Sequence, residues 1–277
     1  MAAKSWHWRI ILALGTFFTL TLILFPVYIL FKYSFSDRAS IVTGGEVIPW
    51  WPYNPTLEMY RFLFSASDFL RANLMSVEIA LLTVAISLIL GAPAAYALAR
   101  YRIPAKGLLL LSLLSVRLFP DVAAAVPVAE LLFKLNMQNS VLGVSLAHTL
   151  LAMPYVIFIA MGVFDSIPRD LDEQALVLGA GRFRIFFRVA LPLAAPGLAA
   201  AAIYAFLLSW DEFIFAYFLL FFSDTFTLPV YLQKILSWSP QQNLLAAVSV
   251  VLSLPVILFT LVVQRYMRAG ILSGALK

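Results

Sequence analysis

The sequence predicts an all-α protein embedded in a membrane, with six transmembrane helices and one longer helical hairpin on the cytoplasmic side. Three observations predict it. Of the 277 residues, 63% are hydrophobic and 12% charged, whereas soluble domains are about half apolar and about a quarter charged. The apolar residues gather in stretches near 9–31, 74–98, 108–132, 141–164, 195–219 and 244–264, each close to the roughly 20 residues that cross about 30 Å of hydrocarbon. The polar intervals between them are brief except at 32–73 and 165–194.

In chain order, Lys4 and Arg9 precede an apolar stretch ending near Phe31 without a small-residue cleavage pattern, so it reads as an uncleaved first span. The interval 32–73 holds turn formers (Gly44, Gly45, Pro49, Pro52, Pro55) and then an amphipathic run, Leu57 to Phe69, that fits a surface helix or a plain connector equally well. Pro93, Pro120, Pro127, Pro154 and Pro255 fall inside later spans, where neighbouring helices satisfy the backbone groups a proline frees. With the N-terminus inside, the cytoplasmic segments hold Lys4, Arg9, Arg100, Arg102, Lys106, Arg169, Arg182, Arg184, Arg188, Arg265, Arg268 and Lys277. The outer segments hold only Lys32, Arg38, Arg61, Arg71, Lys134 and Lys234. This asymmetry places both termini in the cytoplasm, and Trp50, Trp51, Tyr53, Tyr231 and Trp238 in outer segments as interfacial anchors. Residues 1–277 read as one membrane domain.

Composition excludes several function classes. Cysteine is absent, which removes disulfides, thiol nucleophiles and Cys-ligated metals, and His7 and His148 alone are too few for a histidine metal centre. The net charge of +5 resides in short loops, as orientation requires, and not on a face suited to nucleic acid. No Gly-rich loop followed by Lys and Ser or Thr is present to bind ATP.

The segment 165–194 carries the strongest pattern. Ser166 reads as an N-cap with Pro168 close behind; Asp170, Asp172 and Glu173 suit a positive helix N-terminus; and Gly179 and Gly181 end the helix. Leu171, Ala175 and Leu178 share one face, and a second helix near 182–190 mixes Phe183, Phe186 and Phe187 with Arg182, Arg184 and Arg188. Such a hairpin, too small to fold alone, calls for a protein surface or lipid headgroups to bury against.

Glu173-Gln174-Ala175, then Gly179, Val189 and Leu191-Pro192, resembles the EAA loop of bacterial ATP-binding-cassette (ABC) importer permeases. Gln174 and Val189 are conservative departures from that pattern. The resemblance implies a type I ABC importer bundle in a bacterial or archaeal inner membrane. Glu173, Gln174, Ala175, Gly179, Leu191 and Pro192 would then couple to a cytoplasmic ATPase dimer that binds ATP and Mg, this chain holding no cofactor and performing no catalysis. A second permease subunit and an extracellular or periplasmic solute-binding protein are the other implied partners. Ser209-Trp210-Asp211-Glu212-Phe213 resembles a Trp-Asn-Glu-Phe segment of sugar permeases. Gly270 to Lys277 resembles the tail of the smaller maltose-type permease subunit, which implies that Gly274, Ala275 and Lys277 reach the ATPase. Asn73 to Ser76 and Ala95-Tyr96-Ala-Leu-Ala-Arg100 are also similar to the family.

Glu78, Arg117, Asp121, Asp211 and Glu212 fall within apolar stretches, at a cost of about 2.5 to 3.5 kcal/mol each on insertion scales unless they face the bundle interior, water or the ends of the hydrocarbon layer. Arg117 and Asp121, four apart, are placed to pair. Trp210, Asp211, Arg117 and Asp121 are the candidates for the substrate pathway, a bundle-fixing role being the other reading. His148 is read as a polar packing residue. The expected function is passage of a sugar or oligosaccharide; the alternatives are a polyamine or other small solute in the same importer class, or an ion-coupled secondary transporter, which usually shows internal repeats.

Overall fold

The computed structural model describes residues 6–37, 55–221, 224–238 and 241–274. The expected anchors Trp50, Trp51 and Tyr53 lie outside the described residues, as do Ala275 and Lys277. Two compact units are present, Met1–Ser67 with Leu232–Leu254, and Asp68–Tyr231 with Pro255–Lys277.

The first described helix is α1 (Trp6–Ser34), apolar on all sides and exposed from residue 8 to 27, as in Phe17 and Phe18 at 70% and 69%, with Lys32 and Ser34 buried near its end. A helix with no polar face belongs in lipid or among other helices. In the same unit α2 (Glu58–Ser65) stands against the end of α1: Tyr60 Oη donates to Ser34 Oγ at 2.9 Å and its ring lies 5.4 Å from Phe35. The amphipathic run is thus cut at Ala66, whose backbone is extended, and Phe69 belongs to the next helix.

The larger unit holds α3 (Ser67–Arg100), α4 (Lys106–Ser115), α5 (Asp121–Lys134), α6 (Val141–Ser166), α7 (Asp170–Val177), α8 (Arg182–Ile185), α9 (Leu191–Asp211) and α10 (Ile214–Leu219). Then come α11 (Leu228–Trp238) and α12 (Gln242–Gly274), each of which has residues in both units. All regular structure among the described residues is helical. Five helices among the described residues are long and apolar enough to cross a membrane, and the pair 106–118 and 121–134, bent by 98°, makes six if it is one span.

Two of the expected spans differ from the observed ones. The stretch 108–132 is not one helix: α4 runs into a 3₁₀ turn (Val116–Leu118) and α5 departs at 98°. Pro120 lacks an N–H and drives Phe119 into extended backbone at φ −74°, ψ 137°, so the helix cannot continue. The fifth stretch stops at Asp211 instead of 219. Glu212 is extended, and its carboxylate accepts the backbone N–H groups of Phe215 and Ala216 at 2.9 and 3.1 Å, starting α10 as a separate helix.

Packing relies on small residues, since lipid is as apolar as the side chains and only close contact favours association. Ala152, Val156, Ala201 and Ala205 form a fully buried seam between α6 and α9. At Gly197 the helices are so close that a β-carbon would stand 2.6 Å from both Val163 methyls.

Candidate functional site

The hairpin is built by local rules. Ile167, preceding Pro168, is extended (φ −81°, ψ 128°) and ends α6. Ser166 is therefore the last residue of α6, its hydroxyl donating to Val163 O at 2.6 Å, and does not cap α7 as the sequence suggested. Arg169 occupies the N-cap without a side-chain bond, and Asp170, Asp172 and Glu173 line the first turn beside the positive helix end. At the other end Gly179 takes φ +81°, as expected from its place in the turn; Gly179 N–H bonds Leu176 O and Ala180 N–H bonds Ala175 O. This is the Schellman arrangement, in which the left-handed residue is normally glycine.

The second arm is continuous with the following span. After α8 the chain widens into a π turn, Phe186–Ala190, and enters α9. Pro192 explains it: with no N–H to give Arg188 O and a ring that crowds that carbonyl, the ladder loosens upstream. Leu191 N–H instead reaches back five residues to Phe186 O.

A nearly buried charge pair fastens α7 to the end of α3. Arg100 Nε lies 2.8 Å from Asp172 Oδ2, and the Tyr96 hydroxyl donates to the same oxygen at 3.1 Å. Arg100 Nη2 donates to Ile167 O at 3.0 Å, and Arg169 Nη2 to Ala99 O at 2.9 Å. Tyr96 is held in turn between the rings of Phe164 and Phe186. Arg100, Asp172 and Glu173, with Tyr101, Arg169 and Arg182, border a cleft of about 190 Å³. The sequence reading assigned Asp172 only to the helix dipole. The signal for more was present in Tyr96 and Arg100, four apart at the end of an apolar span and so on one helix face.

Outside this latch much of the hairpin surface is open. Glu173, Gln174 and Gly179 are exposed and Ala175 half-buried; Val177, Leu178 and Phe183 are 88%, 87% and 83% exposed. The Leu171, Ala175 and Leu178 stripe is thus not buried within the chain. Leu191 is half-buried and Pro192 exposed at the start of α9.

The interior candidates fall at separate places in the bundle, and Arg117 and Asp121 pair as their spacing suggested. Arg117 and Asp121 pair across the break between α4 and α5, Nη1 to Oδ1 at 3.1 Å. Trp210 is buried, its ring parallel to Phe206 at 6.0 Å, and Asp211 is exposed at the end of α9. His148, read from the sequence as a polar packing residue, packs among polar partners. Fully buried, it meets Glu212 Oε2 through Nε2 at 2.9 Å and Ser209 Oγ through Nδ1 at 2.8 Å, and Ser209 donates onward to Thr83 at 3.3 Å. Gly274 is the final residue of α12. No group of three or more His, Asp or Glu able to hold a metal occurs among the described residues.

Residues 16–272 match the model of the family described as binding-protein-dependent transport system inner membrane component. The chain belongs to that family. Among relatives of this family member, the trehalose transport system permease protein SugB of Mycobacterium tuberculosis is 32% identical over 100% of this chain and 99% of its own length. The sulfoquinovosyl glycerol transport system permease protein SmoH of Agrobacterium fabrum is 35% identical over 92% of this chain and 89% of its own. The trehalose/maltose transport system permease protein MalG of Thermococcus litoralis is 29% identical over 97% of each. The fold matches a chain in the crystal structure of a bacterial ABC transporter that imports the acidic polysaccharide alginate, with TM-score 0.81, 23% identity, and coverage of 96% of this chain and 99% of that one.

Proposed function

We propose that this inner-membrane component is one permease subunit of an ABC importer for a sugar or oligosaccharide, forming half of the pathway and coupling to a cytoplasmic ATPase dimer through the hairpin 165–194. The observation that carries it is the open face of the hairpin. A carboxylate at Glu173 beside exposed Val177, Leu178 and Phe183 suits a partly apolar protein cleft carrying a basic residue. The latch behind it gives that face a firm base from which to move α3 and α9. Glu173, Gln174, Ala175 and Gly179 supply the contact, while Leu191 and Pro192 fix how the second arm enters the span. Gly274, Ala275 and Lys277 extend the contact from the C-terminal end. The relatives named for trehalose and maltose support the cargo class. ATP and Mg belong to the partner ATPase, a solute-binding protein delivers the cargo, a second permease completes the pathway, and this chain is not itself an enzyme. Both termini are cytoplasmic.

Glu173→Ala and Gly179→Val test this reading in the reconstituted transporter. Both should reach the membrane at near-normal levels. Stranding a basic partner in a partly desolvated interface costs roughly 2–5 kcal/mol, so Glu173→Ala should lose ATP-driven uptake and co-purify less ATPase. Normal uptake by both variants would remove the hairpin from coupling.

A further inference from the structure

We infer that Arg117, Asp121, Tyr155 and Tyr204 form a contact site for an uncharged, polyhydroxylated solute, and that this site discriminates against acidic sugars. The inference rests on the importer reading above and adds the residues and the charge class of the cargo.

The location comes from the backbone. The span 108–132 is interrupted at Phe119 and Pro120 with a 98° bend, and irregular backbone at membrane depth persists where it is covered by protein or lines a water-filled cavity. The charge pair sits at this break, with Arg117 and Asp121 side chains 20% and 41% exposed. Charges within a span avoid lipid and mark interior or pathway surfaces, so the open side of this pair faces the pathway.

Composition gives the ligand class. The Arg117 guanidinium lies 5.8 Å from the centre of the Tyr155 ring on α6, and Tyr204 on α9 lies 4.9 Å from Tyr155 at a 48° tilt. Two half-buried phenol rings, a guanidinium and a carboxylate therefore converge from the 3₁₀ turn after α4 and from α5, α6 and α9. A brace across the break needs only the Nη1 to Oδ1 contact. Arg117 Nε is buried without a hydrogen-bond partner, while the side chain as a whole keeps 20% exposure, so the accessible guanidinium N–H groups are what a bound acceptor meets. Sugar hydroxyls accept from the guanidinium and donate to the carboxylate, while the C–H face of the ring packs on tyrosine. Because Arg117 is already neutralised by Asp121, an acidic sugar meets a like-charged carboxylate with no surplus cation to offset it, which is how a site rejects a related ligand.

The test uses the complete transporter with its partner subunits in nanodiscs, and compares maltose and trehalose with a uronate-containing disaccharide. Tyr155→Leu and Tyr204→Leu should cut neutral-sugar uptake at least tenfold while binding-protein-stimulated ATP hydrolysis stays within twofold. Asp121→Asn should narrow the preference for neutral over acidic sugar at least tenfold. Wild-type uptake and preference in all three variants would overturn the site while leaving the importer reading intact. Parallel loss of membrane level, hydrolysis and uptake, with preference unchanged in Asp121→Asn, would reduce the cluster to a brace. A wild-type transporter that moves neither neutral sugar would overturn the sugar reading and the site with it.

Discussion

Removing the Asp172 carboxylate isolates the contribution of the latch between α7 and α3. In Asp172→Leu the Arg100 side chain, 5% exposed, keeps its bond to Ile167 O but loses its counter-charge, and the Tyr96 hydroxyl loses its acceptor. Breaking a buried pair from one side costs about 3–5 kcal/mol. The hairpin is a small element at the end of the bundle, so that cost should appear as local opening and not as global unfolding. At about 1.4 kcal/mol per tenfold, the open population rises on the order of 10²- to 10³-fold. Hydrogen exchange of amides 172–178 in nanodiscs reads this directly. Arg100→Met should open the hairpin similarly, since it leaves Asp172 buried with only the Tyr96 hydroxyl. The double variant Arg100→Met/Asp172→Leu removes both charges and should recover most of the protection, because a matched apolar pair is often no less stable than a buried ion pair. A coupling energy below about 0.5 kcal/mol in this cycle, the range expected of independent sites, would refute the latch.

Three further outcomes are expected. Glu212→Ala leaves His148 Nε2 and the N–H groups of Phe215 and Ala216 without their acceptor, and should destabilise the detergent-solubilised protein by about 1–3 kcal/mol for each group left buried and unpaired; Glu212→Gln, which retains an acceptor, should cost clearly less in the same thermal melt. Gly197→Ala should cost about 1–3 kcal/mol through overpacking against Val163, and Val163→Ala should restore much of it in the double variant. At Gly179 a β-carbon meets nothing within 4 Å, so Gly179→Ala should cost only the left-handed backbone penalty of roughly 1–2 kcal/mol, with Gly179→Asn milder by hydrogen exchange of the turn.

What was legible in the sequence followed from local chemistry. Apolar runs mark spans because lipid demands them, and Gly179 marks a left-handed turn because other residues resist one. The break at Pro120 was carried by a single residue, yet proline is tolerated within other helices here, at Pro93 and Pro154; only the bundle decides which proline bends and which continues. The end of α9 at Asp211 was hidden for a different reason. Glu212 looked like a charge within a span, and its service to α10 depends on a fold-back visible only in three dimensions. His148 and Asp172 were underestimated alike, since their partners lie 61 or more residues away and no local periodicity connects them. For Trp210, too, the packing of its ring against Phe206 one turn earlier became visible only in the structure.

The π turn at Phe186–Ala190 has a geometric corollary for the hairpin. A widened turn houses one residue more than the α-helical ladder requires, and one residue corresponds to about 100° of rotation around a helix axis. Phe186 and Ala190 are buried while Phe183 and Phe187 are not, so the side of the second arm that looks inward is selected by that surplus residue. Excising one residue from 186–190 would leave the composition of both arms almost unchanged, yet would turn everything upstream, Glu173 included, by roughly a quarter revolution relative to α9. The azimuth at which this chain meets a neighbour is therefore written in the count of residues before Pro192 as much as in their identity.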